Sequence, residues 1–149
     1  MNVGTLRRWL GRIGIGAVVL LVVIQFIPYG RAHANPDVVQ EPQWDSQVTR
    51  DLAVRACYDC HSNETEWPWY SNVAPLSWVV ENHVEEGRQI LNFSDWTRSY
   101  RQAHESAETI QEGQMPPLYF TVMHSKARLS DQEKQQLMDG LNATIGSGG

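Results

Sequence analysis

Both cysteines of the chain fall within five residues, Cys57-Tyr58-Asp59-Cys60-His61, and a histidine follows the second directly. Positions i, i+3 and i+4 of a helix share one face, so one helical turn here presents two thiols and an imidazole together. Two such thiols can add to the two vinyl groups of a haem while the imidazole binds its iron, the spacing of a c-type attachment site. Other uses of the pair compete. Thiol–disulfide exchange calls for a thioredoxin-like βαβ pattern around C-x-x-C, and none follows. Structural zinc takes four Cys/His ligands, usually as two pairs, and the sequence holds no second C-x-x-C and no H-x-x-x-H. A disulfide across two residues is geometrically awkward.

An iron held by one histidine has a sixth position to fill. Met115, in Gly113-Gln114-Met115-Pro116-Pro117-Leu118-Tyr119, offers a thioether from a proline-pinned loop, which would give the Met/His coordination of electron-transfer cytochromes. A methionine filling a core gap is the plainer use, and His83, His124 and His104 are the competing ligands. The porphyrin also needs an apolar wall. Trp67, Trp69, Tyr70, Trp78, Phe93 and Trp96 crowd into the stretch after the motif and can supply one, with Trp67 and Trp69 the nearest, or can equally form an aromatic core. Arg88 and Arg98 are candidates for bidentate contact with propionates, Arg88 ahead of Arg98.

The elements that must position these groups read as helices. Asp45 or Ser46 caps a helix carrying Val48, Leu52 and Val54 towards Cys57. Pro68 and Pro75 make 63–76 a loop. Ser77 opens a helix through Trp78, Val79, Val84 and Ile90, and Ser94 opens another through Trp96, Tyr100, Ala103, Ala107 and Ile110, closed by Gly113. Ser130-Asp131-Gln132-Glu133 is a capping box in front of Leu137, Leu141 and Ile145. No run of alternating β-branched residues calls for a strand. The expected architecture is all-α: a small cytochrome-c-like helical domain around a covalent haem, preceded by a single N-terminal transmembrane helix.

That helix is expected because no charge occurs from Ile13 to Gly30, and 18 helical residues reach about 27 Å, close to a hydrocarbon core. Arg7, Arg8 and Arg12 precede it and only Arg31 follows, so the positive-inside rule sets the N-terminus in the cytoplasm and the remainder outside. Ala32-His33-Ala34 has the small-x-small form of a leader cleavage site. The expected layout is therefore an anchor or signal segment over 1–34, an extended linker over 35–46 with Pro36 and Pro42, and the haem-binding domain over 47–146. The domain is expected in the periplasm on a single-pass inner-membrane anchor, or secreted after cleavage near Ala34. Four of the 12 basic residues and none of the 17 acidic ones lie in 1–34, leaving eight against 17 beyond it, a formal −9. Such a charge excludes nucleic acid as a partner. It would suit an unidentified redox partner with a basic docking face, although acidity alone also serves solubility.

Taken together, Cys57-x-x-Cys60-His61-Ser62-Asn63-x-Thr65-x-Trp67-Pro68-Trp69-Tyr70-Ser71, Ala74-Pro75-x-Ser77-Trp78, Gly87-Arg88-x-x-Leu91-Asn92-Phe93-Ser94-x-Trp96 and Gly113-x-Met115-Pro116-Pro117-x-x-Tyr119 carry a wider likeness. Over roughly residues 35–141 the chain resembles the bacterial haem-binding domain family of small c-type cytochrome-like proteins. The resemblance implies one haem c bound covalently to Cys57 and Cys60, with His61 on the iron and Met115 opposite. It also implies an N-terminal hydrophobic segment. In its last helix the chain departs from cytochromes c generally, offering Leu137, Leu141 and Ile145 where an aromatic is common. Two functions follow as expectations: a non-enzymatic electron carrier, or a haem sensor of small ligands or peroxide with a displaceable sixth ligand.

Overall fold

A computed structural model describes residues 3–146, and every regular element among them is helical. The helices are α1 (Val3–Ile24), α2 (Gln47–Ala56), α3 (Tyr58–His61), α4 (Leu76–Ile90), α5 (Ser106–Gln111), α6 (Leu118–Met123) and α7 (Asp131–Gly146). The all-α expectation stands. The chain divides into two compact units, one formed by Met1–His33 with Pro68–Asn82, the other by Ala34–Trp67 with His83–Gly149.

In the first unit no residue of α1 is buried, and all but the half-buried Ile24 are exposed. After Ile24 the backbone tightens: Gln25, Phe26 and Ile27 donate only three residues back, to Val22, Val23 and Ile24. The uncharged part of the helix is thus Ile13–Ile24, about 18 Å at 1.5 Å per residue, against roughly 30 Å of hydrocarbon. Among the described residues no helix is long and apolar enough to cross a membrane. This departs from the expected span over 13–30. The cause is Gln25, whose side-chain amide folds back to the Leu21 carbonyl at 2.9 Å and reaches on to Ala74.

The second unit is built on α2, α5 and α7. Ser46 is the N-cap of α2, its hydroxyl accepting from the Thr49 amide at 3.2 Å. The capping box of α7 forms in both directions, Glu133 N–H to Ser130 Oγ at 3.2 Å and Ser130 N–H to Glu133 Oε2 at 2.8 Å. Leu137, Leu141 and Ile145 are all buried, facing Leu52, Ala53 and Ala56 of α2 and Ile110 of α5 in one core. Phe93 sits at its centre, 1% exposed, with ring centroids 5.2 Å from Trp44, 5.8 Å from Tyr58 and 5.9 Å from Trp96. Two of the six aromatics set out as a possible haem wall, Phe93 and Trp96, therefore pack in or against the core.

Two further expectations are corrected here. Residues 35–46 are no free linker but a strap on the second unit. Asn63 donates to the Asp37 carbonyl (2.9 Å), Val39 to Ser94 (2.8 Å) and Trp96 to Gln40 (2.8 Å). Glu41 takes two bonds of 2.7 Å from Arg50 and one of 2.8 Å from Trp44. The helix expected from Ser94 is absent until Ala103, because Ser94 and Asp95 spend their backbone groups on the strap and on Asn92.

Candidate functional site

Cys57 closes α2 and opens α3. Its amide donates to the Ala53 carbonyl at 2.8 Å, and its own carbonyl accepts from Cys60 (3.1 Å) and His61 (2.9 Å). The turn that follows is fixed from below: Ser62 Oγ donates to the Tyr58 carbonyl, Thr65 Oγ1 to the Asp59 carbonyl, and the Glu66 amide to Asp59 Oδ1. The carbonyls of this one-turn helix are thereby satisfied.

Both cysteines are free and half-buried. Burial, with the neighbouring Cys60 as a smaller cause, pushes the Cys57 thiol up to about 12. Burial and then Asp59 push Cys60 up to about 11, with Arg88 opposing. Thiols used for disulfide exchange have lowered values because the thiolate is the nucleophile, so these surroundings oppose that use. They suit a neutral sulfur, such as a thioether.

His61 carries the most specific geometry. Its Nδ1 lies 3.0 Å from the Gly87 carbonyl and 3.1 Å from the Leu91 carbonyl. Carbonyls only accept, so Nδ1 bears the proton and Nε2 keeps its lone pair. Burial lowers the His61 value, against the opposing pull of the two carbonyls. The result is a neutral imidazole with one nitrogen aimed and held by backbone, the arrangement that orients metal-ligating histidines.

The carbonyls are positioned by a buried polar set that sequence reading did not assign a role. Asn92 Nδ2 donates to Asn63 Oδ1, the Ser94 amide to Asn92 Oδ1, and the Asn63 amide to Ser94 Oγ, each at 2.9 Å. The Phe93 amide returns to the His61 carbonyl at 2.8 Å. Gly87 lets α4 approach: a β-carbon there would run into the Cys60 carbonyl. One signal for this was legible, since residues 87 and 91 lie one turn apart and a glycine inside a helix needs a packing reason.

The remaining expected residues fare differently. Met115 stands on the loop between α5 and α6, 40% exposed, its amide donating to the Thr109 carbonyl at 3.1 Å. Tyr119, four residues on, has its phenol raised by burial and then by Cys60 and Glu86, and its ring stacks on His83 at 5.4 Å. His124 stacks on Phe120 at 4.1 Å, and His104 is exposed in a 3₁₀ turn. Trp67 is half-buried and donates to Asn35 Oδ1 at 3.1 Å, whereas Trp69 belongs to the first unit and is 78% exposed. Arg88 gives Nε to the Ser62 carbonyl, Nη1 to the Ala34 carbonyl, and Nη2 to Asn35 Oδ1 and Thr65 Oγ1, at 2.8–3.1 Å. Four of its five N–H groups thus bind the chain, so a bidentate propionate contact would first have to break this set. Arg98 pairs with Asp95 at 2.7 Å.

A cavity of about 530 Å³ flanks α3, lined by Tyr58, Asp59, Met123, His124 and the charged groups around them. Neither cysteine nor His61 lines it. Among the described residues no group of three or more His, Cys, Asp or Glu side chains is arranged to hold a metal ion directly. The donor set that exists, two neutral thiols and one imidazole with a free Nε2, fits an iron delivered in a porphyrin. Residues 19–143 match the family model described as a haem-binding domain. No curated protein and no solved structure matches the chain.

Proposed function

We propose, from the premise that this chain belongs to the haem-binding domain family, that it is a single-haem electron carrier of the c type on the extracytoplasmic side of the membrane. Haem would be held through thioethers from Cys57 and Cys60, with His61 Nε2 and the Met115 sulfur as the groups available to its iron. The observation that carries this reading is the His61 ring, fixed at Nδ1 by the Gly87 and Leu91 carbonyls beside two free thiols that burial keeps neutral. When bound, the haem supplies a one-electron couple whose potential follows its axial ligands, hydrogen bonds and burial. The chain's own part is retention and orientation. Cys57 and Cys60 would prevent loss of the group, and the Gly87 and Leu91 carbonyls hold His61 in one tautomer and raise its basicity. Residues 1–34, basic at the start and then uncharged, direct the domain across the inner membrane. An acidic surface beyond residue 34 favours a redox partner with a basic face.

The test is the intact mass and reduced absorption spectrum of protein made alongside cytochrome c maturation machinery. One haem's added mass, resistant to acid extraction and lost in the Cys57→Ala, Cys60→Ala double variant, is expected. A chain of bare polypeptide mass overturns the reading.

A further inference from the structure

We infer that the N-terminal segment is a permanent part of the folded protein rather than a leader cut near Ala34, and that its exposed helix is a lipid-contacting surface. The sequence around Ala32-His33-Ala34 invites cleavage, and a cleaved leader leaves no partners behind in the mature fold. Here it has several. Within the first unit, the Gln25 side chain satisfies both backbone groups of the buried Ala74, donating to its carbonyl at 2.9 Å and accepting from its amide at 3.0 Å. The same amide accepts from Arg31 Nη2 (2.9 Å), while Arg31 Nη1 holds the Gln25 carbonyl (2.8 Å). Gly30, at φ +75°, lies against the Ser77 carbonyl so closely that no β-carbon fits. His33 Nε2 lies 2.9 Å from Oγ and 3.2 Å from the carbonyl oxygen of the fully buried Ser71.

Removal of residues 1–34 would strip these groups from Ser71, Ala74 and Ser77. Buried backbone polar groups are almost always paired, and losing a partner costs more than the bond contributes. The bond after Ala34 is itself engaged, since its carbonyl accepts from Arg88 Nη1 at 2.9 Å within the second unit. A second, independent observation agrees: the family match spans residues 19–143, on both sides of the candidate cleavage site, so the shared domain includes the end of α1.

What then covers α1 follows from its composition. Ala17–Ile24 are eight successive apolar residues, hence apolar on every side of the helix, and none of the helix is buried. A protein groove covers one stripe of a helix, whereas hydrocarbon covers all of it. Arg7, Arg8 and Arg12 at the other end suit anionic headgroups.

The inference rests on the proposed export for its setting, and the experiment separates the two. Full-length protein is made in a bacterium with maturation machinery, membranes are washed with carbonate, and the intact mass is read. Expected is an uncleaved chain that sediments with washed membranes, and whose domain is digested by protease added to spheroplasts. A chain beginning at or near Asn35 overturns the inference while its haem mass still reports on the function. An uncleaved chain released by carbonate overturns the lipid contact. One protected in spheroplasts overturns the export reading, and this inference with it. Gln25→Leu provides the check on fold: it keeps the segment apolar but deletes the Ala74 bonds. Proteolytic cutting within 68–82 should rise about tenfold, as expected when the two Ala74 bonds together contribute about 1.4 kcal/mol; an unchanged rate would mean the segment is not built in.

Discussion

His61 and Gly87 are fitted to each other: the imidazole gives its Nδ1 proton to the Gly87 carbonyl at 3.0 Å, and the Cys60 carbonyl fills the place where residue 87 would carry a β-carbon. One residue thus sets the distance of α4 from the cysteine turn and, with Leu91, the tautomer of His61. In an open helix Gly→Ala stabilises by up to about 1 kcal/mol. Here the methyl must displace backbone, so Gly87→Ala should destabilise by about 1–3 kcal/mol. Urea unfolding of the haem-free chain measures it, and the haem-to-protein ratio should fall in parallel. A gain in stability would show that α4 does not pack on Cys60.

The thiols give a pH signature. Both are raised by burial, Cys60 to about 11 and Cys57 to about 12, against an unperturbed value of about 8.5. In the haem-free chain, alkylation should therefore be slow at pH 8 and climb about tenfold per unit until near pH 11, because only thiolate reacts. The folded state binds these protons more tightly than the unfolded one. Its advantage is complete below about pH 8.5 and is lost as pH rises towards 11–12. Rapid alkylation of the native chain at pH 7 would contradict the burial of both sulfurs.

The helical turn that carries Cys60 and His61, the all-helical class and the α7 stripe were legible because each depends on near neighbours: C-x-x-C-H within one turn, and Ser130 with Glu133 three apart. What sequence reading missed depends on residues far apart in the chain. Nothing local says that Arg88 will bond Ala34, 54 residues earlier, or that Asn92 will find Asn63. An extended, proline-bearing 35–46 reads as a linker whether it hangs free or is strapped down. The helix stops short of the end of the uncharged run 13–30 for a similar reason: Gln25 looks tolerable in an apolar run until Ala74 supplies two bonds that favour a turn.

Removing one side of the buried amide pair should show its weight. Asn92→Leu leaves Asn63 Oδ1 and the Ser94 amide without their present partners, at a cost of about 1–3 kcal/mol. Since Leu91 precedes Asn92 and holds His61, the variant should also broaden the His61 signals in NMR spectra of the haem-loaded protein. Full stability in thermal melts would remove the network from the account.

Acid should loosen the start of α7. Arg55 and the Ser130 amide hold Glu133 well below the ordinary carboxylate range, at about 2. A depressed value means the contribution is present above the unfolded pKa of about 4.3 and disappears as pH falls towards 2. Glu133→Gln should flatten that part of the stability–pH curve. Ser130→Ala should cost about 1 kcal/mol at all pH values by loss of the cap. Parallel curves for Glu133→Gln and the parent chain would show that the carboxylate is not what the cap titrates.

Met115 decides between carrier and sensor. It stands 40% exposed on a loop closed by Gly113 at φ +70° and followed by two prolines, while Tyr119 of the same segment already comes within electrostatic reach of Cys60. A carrier needs that sulfur on the iron in both oxidation states, whereas a sensor needs it to leave. In Met115→Ala the low-spin absorption of the haem-loaded protein should give way to an open site that binds cyanide or carbon monoxide, with a reduction potential lowered by loss of the thioether. Binding of carbon monoxide by the parent chain at comparable affinity would favour the sensor. An unchanged spectrum in Met115→Ala would move the ligand elsewhere, with His83, stacked on Tyr119, the next residue to replace.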